Sequence, residues 1–236
     1  MTPLHVWHAV TYLGDGAVLL PCAALLFAWL MAAPATRRTA WWWLIAVVLV
    51  GGGAALSKLL YMVSGWHPAR WNFIGLSGHA ALSFLVFPAA AALVTSRHRT
   101  GLRIVAVALA AGLAFAISVS SWVLRDHSLS EVALGALWGA LVAAVFLTIA
   151  WRHVAEAPSQ GKWAIASILL LVLVAYRHEL PSTRVLSWVA LQASGQASIH
   201  TRADLGPHAR LSRKTVHGSY ADSPAARRRS PPSRDP

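Results

Sequence analysis

The chain has 236 residues, of which 57% are hydrophobic and 12% charged, with a mean hydropathy of +0.56. A soluble domain carries about 25% charged residues, so this composition argues against a water-soluble globule, and it rules out a disordered chain, which needs low hydrophobicity. The formal charge of +12 is no nucleic-acid signature, because the basic residues outside the C-terminal tail interrupt apolar runs instead of forming one stripe.

In chain order, six apolar runs approach the roughly 20 residues that cross a bilayer. They are 16–33, 41–63, 79–95, 103–124, 131–151 and 163–177. The last is the shortest, and Trp163 and Tyr176 flank it as interfacial anchors. The first fifteen residues hold no Lys or Arg, so the first run reads as a retained helix and not as a cleaved signal. Cys22, the only cysteine, excludes an intramolecular disulfide and a cysteine-based metal site. A short interfacial helix is expected around Val185–Leu191. Residues 201–236 carry eight Lys/Arg and three Asp/Glu and are rich in Ser and Pro, so they read as a basic disordered tail after a six-helix domain of residues 1–200.

Loop charges set the orientation. Arg37 and Arg38, then Arg97, Arg99 and Arg103, then Arg152 and Lys162 fall in three alternate connections. The positive-inside rule puts those on the cytoplasmic face. Both termini and the connections 64–78 and 125–130 then face outward, which in a bacterium is the periplasm.

The outward connections hold the unusual residues. Ser77-Gly78-His79 opens the third span. A helix start leaves N–H groups and a dipole that favour an anion, Gly78 permits close approach, and His79 could give a proton to a leaving oxygen. His127 and Glu131 are spaced i, i+4, so one carboxylate could fix the imidazole tautomer and leave its other nitrogen as nucleophile. Ser128-Leu129-Ser130-Glu131 also fits a capping box, and one carboxylate is not expected to serve both purposes fully. Lys58 ends the second span, either snorkelling to the interface or binding phosphate.

In this order, a Lys, then Ser-Gly-His, then His-x-x-x-acid resembles the type 2 phosphatidic acid phosphatase family, over residues 58–131 by motif and about 16–177 by topology. The resemblance implies an all-α, polytopic membrane protein with a six-transmembrane-helix bundle of the acid phosphatase–haloperoxidase type. It implies a metal-independent phosphatase acting on a lipid phosphate or diphosphate from the bilayer, in the bacterial inner membrane, with a periplasmic site and no cofactor. His127 is then the residue phosphorylated, Glu131 its orienting acid and His79 the general acid. Lys58, Ser77, Gly78 and Ser120 contact phosphate. The family's third-motif Arg position is Ser121 here, and Leu76 replaces a Pro. Arg70 and Arg125 are the candidates to supply the missing guanidinium. Three other readings stay open: a relative that binds phospholipid without turnover, a small membrane transporter or channel, and a haem-binding membrane protein using histidine pairs, which is disfavoured because no histidine lies mid-span to face His79 or His127. The oligomeric state and the particular lipid are not legible.

Overall fold

The computed structural model describes residues 3–68, 71–153, 182–195 and 198–202. They form seven α-helices: α1 (Pro3–Leu13), α2 (Gly16–Ala32), α3 (Arg37–Ser64), α4 (Gly78–Val94), α5 (Thr100–Val123), α6 (Leu129–Ala150) and α7 (Ser182–Ser194). A 3-10 turn, Pro34–Thr36, joins α2 to α3. There is no strand among the described residues. The expected sixth span, 163–177, and the tail beyond residue 202 lie outside the described residues.

The protein is an all-α, polytopic membrane protein. Four stretches of helix, His5–Ala32, Pro34–Ser64, Thr100–Val123 and Leu129–Ala150, are long and apolar enough to cross a bilayer, and α4 is a shorter apolar helix. Large apolar side chains such as Trp41, Val48 and Leu60 on α3, Leu109 and Phe115 on α5, and Leu141 and Val145 on α6 are exposed. Such a surface suits lipid and not water.

Short α4 is the hub. It packs against α2, α3, α5 and α6, and Ala80, Ala81, Leu82, Leu85, Val86 and Ala89 along it are buried. Against α6 the two backbones approach closely. Gly135 and Gly139 sit one turn apart, and an added Cβ would come within 2.7 Å of the Ser77 carbonyl and 2.1 Å of the Ala81 carbonyl respectively. Small residues at this spacing let two helix backbones touch, which is how helices associate without a hydrophobic driving force. Below, Trp43 joins α3 to α2 through its indole N–H, which donates to the Ala23 carbonyl at 2.9 Å, and its ring meets Phe146 of α6.

Three helix starts use a side-chain cap, Asp15 for α2, Ser77 for α4 and Ser128 for α6. All three lie at the same end of the bundle, where the site forms.

Two differences from the sequence expectation concern helix starts. First, α1 precedes the first expected span. Its Thr11 hydroxyl donates to Ser120 Oγ at 2.7 Å, tying it to α5. Second, Arg37 and Arg38 open α3, and Arg103 lies inside α5 instead of in a connection. Arg103 is buried because its Nη1 donates to the Trp151 carbonyl at 2.8 Å and its guanidinium stacks 3.7 Å from the Trp151 ring. The expected helix near Val185–Leu191 is present as α7, packed against α3.

Candidate active site

Glu131 is the centre of the site, fully buried in the first turn of α6. A buried carboxylate needs donors, and it has them from three segments. Oε1 accepts from the Ile74 backbone N–H at 3.0 Å. Oε2 accepts from His127 Nδ1 at 3.0 Å, from the Ser128 backbone N–H at 3.2 Å and from Arg202 Nη2 at 2.5 Å. The Ser128 hydroxyl accepts in turn from the Glu131 N–H at 3.3 Å. The capping box and the imidazole contact therefore coexist, against the expectation that one carboxylate could not fully serve both. Two oxygens with about four lone-pair sites suffice.

His127 lies in the turn between α5 and α6. That turn is anchored by the Ser121 carbonyl, which accepts from the Asp126 N–H at 3.1 Å. With Nδ1 engaged by Glu131, Nε2 is the nitrogen left for chemistry. Burial lowers the proton affinity of His127 below the ordinary histidine value, and the hydrogen bond to Glu131 offsets part of that. Burial thus favours the neutral form of the imidazole.

The connection from α3 to α4 closes over this pair. Its Ser77 N–H donates to the Glu131 carbonyl at 3.1 Å, and its Leu76 N–H donates to Ser57 Oγ at 2.9 Å. Gly75 lies directly against the backbone of Lys58. The connection is held to α6 on one side and α3 on the other, so Lys58 and Glu131 are brought into electrostatic reach of each other and of His127. At its end, buried Ser77 caps α4 through a hydrogen bond from the Ala80 N–H. Nothing stands within 4 Å of where a Gly78 Cβ would be, so the start of α4 is open to close approach. His79 follows, its ring centroid 5.9 Å from that of His127. On its other side His79 Nε2 is 3.7 Å from Asp15 Oδ2.

The structure thus gathers Lys58, Ser77, Gly78, His79, His127 and Glu131 at one end of the bundle. Ser120 is near in sequence but committed elsewhere: its buried hydroxyl donates to the Ile117 carbonyl and accepts from Thr11. Arg125 is exposed, with a left-handed backbone (φ 62), and no contact joins it to the pair. Arg70 lies outside the described residues.

Three contributors are absent from the sequence reading. Asp15 had a signal, as the only acidic residue in the first 125 and one placed just before an apolar run. Ser57 had none, since a serine in a span reads as helix interior. Arg202 is one of eight basic residues in the last 36 and stands out in no way.

The geometry defines a class. A tautomer-fixed imidazole faces a second imidazole across an open helix start, with cations beside it, and that suits transfer of an anionic group through a histidine. A family model described as the PAP2 superfamily matches residues 54–155. An uncharacterized 22.5 kDa protein in the cps region of Klebsiella pneumoniae is 32% identical over 202 residues, covering 84% of this chain and 97% of that protein. No solved structure matches. The chain belongs to the PAP2 superfamily, whose members are generally phosphatases with an all-α membrane fold.

Proposed function

We propose that the protein hydrolyses a lipid phosphate or diphosphate through a phosphohistidine, at a periplasm-facing site of a bacterial inner membrane. The observation that carries this reading is the Glu131–His127 pair, bonded at 3.0 Å and facing His79.

In the first step His127 Nε2 attacks phosphorus and the bond from phosphorus to the leaving oxygen breaks. That oxygen takes a proton from protonated His79, held by Asp15. In the second step water attacks the phosphohistidine and gives a proton back to His79, and phosphate leaves with His127 restored. Lys58 and the N–H groups at the start of α4 balance charge on the equatorial oxygens. Glu131 keeps Nδ1 engaged and stabilises the imidazole as it gains charge. These residues supply nucleophile, acid and cation themselves, which supports a reaction independent of metal. The arginines at the opposite end of the spans support the outward orientation. Exposed apolar helix faces beside the site support a substrate that arrives from the bilayer, its headgroup meeting the site at the interface.

The test is phosphate release from a panel of lipid phosphates by the purified protein in detergent with EDTA present, beside His127→Ala. Release that survives EDTA and vanishes in the variant is expected. Equal release by His127→Ala would remove the phosphohistidine. A folded wild-type protein that binds these lipids but releases nothing would make it a non-hydrolytic relative.

A further inference from the structure

Arg202 falls beyond the boundary the sequence suggests for the folded domain, yet it reaches the centre of the site. Residues 198–202 dock on the C-terminal end of α3. The His200 N–H donates to the Met62 carbonyl at 2.9 Å, and the Tyr61 hydroxyl donates to the Thr201 carbonyl at 2.8 Å. The His200 ring lies over Gly65, which ends α3 in a left-handed conformation (φ 69), and a Cβ there would come within 2.8 Å of that ring. From this anchor Arg202 Nη2 meets Glu131 Oε2.

Fixing His127 does not require this contact. Glu131 already takes the His127, Ser128 and Ile74 donors, enough to hold a buried carboxylate. A guanidinium added to them, within electrostatic reach of Lys58, places two cations beside one carboxylate. That excess of positive charge suits an incoming anion. Exposure points the same way. The Arg202 side chain is 37% exposed while that of Glu131 is 0% exposed, so this cation stays accessible from solvent where the carboxylate beneath it does not. It presents five N–H donors in a plane, a match to phosphate oxygens that Lys58 cannot offer. Arg125, the described alternative, is exposed and is not among the hydrogen-bond or ion-pair partners of His127 and Glu131.

We propose that Arg202 is an anion-binding residue of the active site, delivered by the C-terminal segment to hold a non-bridging oxygen of the transferred phosphoryl group together with Lys58. The inference rests on the phosphatase reading above. It adds a residue that lies outside the stretch matched by the family model, 54–155.

The test uses the full-length protein in detergent, with orthovanadate as a probe of the phosphoryl site. Wild type, Arg202→Ala, Arg202→Lys and Tyr61→Phe are compared for KM, kcat, vanadate inhibition and vanadate-induced thermal stabilisation. Arg202→Ala is expected to weaken vanadate binding and raise KM roughly 10- to 100-fold, as loss of a charge-assisted contact to a phosphoryl oxygen does. Arg202→Lys recovers part of the loss. Tyr61→Phe, which only loosens the docking, shifts both in the same direction by less. If Arg202→Ala does not fold, Arg202→Lys decides, and wild-type KM and vanadate affinity in that variant overturn the proposal. Unchanged vanadate affinity in folded Arg202→Ala also overturns it, as does a lower melting temperature alone, which marks a structural clamp. Faster turnover in Arg202→Ala overturns it by making residues 198–202 an inhibitory strap. Wild type that neither binds vanadate nor releases phosphate brings down the phosphatase reading itself, and this proposal with it.

Discussion

At one end of the bundle a buried carboxylate, Glu131, gathers donors from three separate segments; at the other a buried guanidinium, Arg103, leans on Trp151 alone among the described residues. Both are charges taken out of water, which is costly unless they are paired. The partners differ in kind. Arg103 has one carbonyl and one ring, and its Nε and Nη2 have no hydrogen-bond partner among the described residues. Glu131 is bonded at both oxygens, and its partners are fixed in turn by Ser57, Ser121 and Tyr61. The first arrangement anchors a helix end. The second holds several groups in one geometry, which a site for chemistry needs and an anchor does not.

The largest break in that comparison is Glu131→Leu. It leaves His127 Nδ1, two backbone N–H groups and Arg202 without their acceptor. Stability should fall by several kcal/mol, because each buried donor left without an acceptor costs about 1–3 kcal/mol. Turnover should fall roughly 10³- to 10⁴-fold, as when a histidine loses the carboxylate that sets its tautomer. Unfolding in detergent and phosphate release measure the two. Retention of both would take Glu131 out of the centre of the site.

The α4–α6 contact links the two ends and should show a gradient along it. Gly135→Ala and Gly139→Ala both push a methyl into α4 backbone, at Ser77 and Ala81 respectively. Each should cost about 1–3 kcal/mol by overpacking. Only Gly135→Ala displaces Ser77, so only it should also raise KM or lower kcat per folded molecule. Equal kinetic losses at both positions would mean that the site feels the whole helix interface.

What the sequence made legible divides along the same line. The spans were readable from hydropathy because an apolar run is a local property. The expected starts at 16, 79 and 131 lie within two residues of the observed ones, where Asp15, Ser77 and Ser128 cap the helices. His127 and Glu131 were readable because they are four residues apart. Asp15, Ser57 and Arg202 are joined to the site by contacts between residues far apart in the chain, such as the 71 positions from Glu131 to Arg202. No spacing rule encodes those. Arg125 shows the converse: it is two residues from His127 in sequence and outside its contacts in space.

Removing the Arg103 anchor should matter less. Arg103→Ala loses one charged hydrogen bond and one cation–π contact, for a cost of about 1–2 kcal/mol. Phosphate release per folded protein should stay at the wild-type value. A change in KM would show that the Arg103 end is coupled to the site and that the division between anchor and site is too sharp.

The smallest expected effect is in pH dependence, and it sharpens the account of the site end. Burial holds His127 below the ordinary value of 6.5. Between that value and the lower folded one, the unfolded chain binds a proton that the folded chain does not. The stability contributed by this group is therefore whole above 6.5 and is lost as pH falls through the folded value. The rate should follow the same sign, because the nucleophile stays neutral further into acid than a free imidazole would. The acid limb of kcat/KM should accordingly lie below 6.5. Glu131→Gln tests the cause. Its carboxylate hydrogen bond raises the proton affinity of His127 against burial, so the amide should move the limb further toward acid while leaving a hydrogen-bonding group in place. A limb that stays still, or moves toward alkali, would mean that the limb reports a group other than His127.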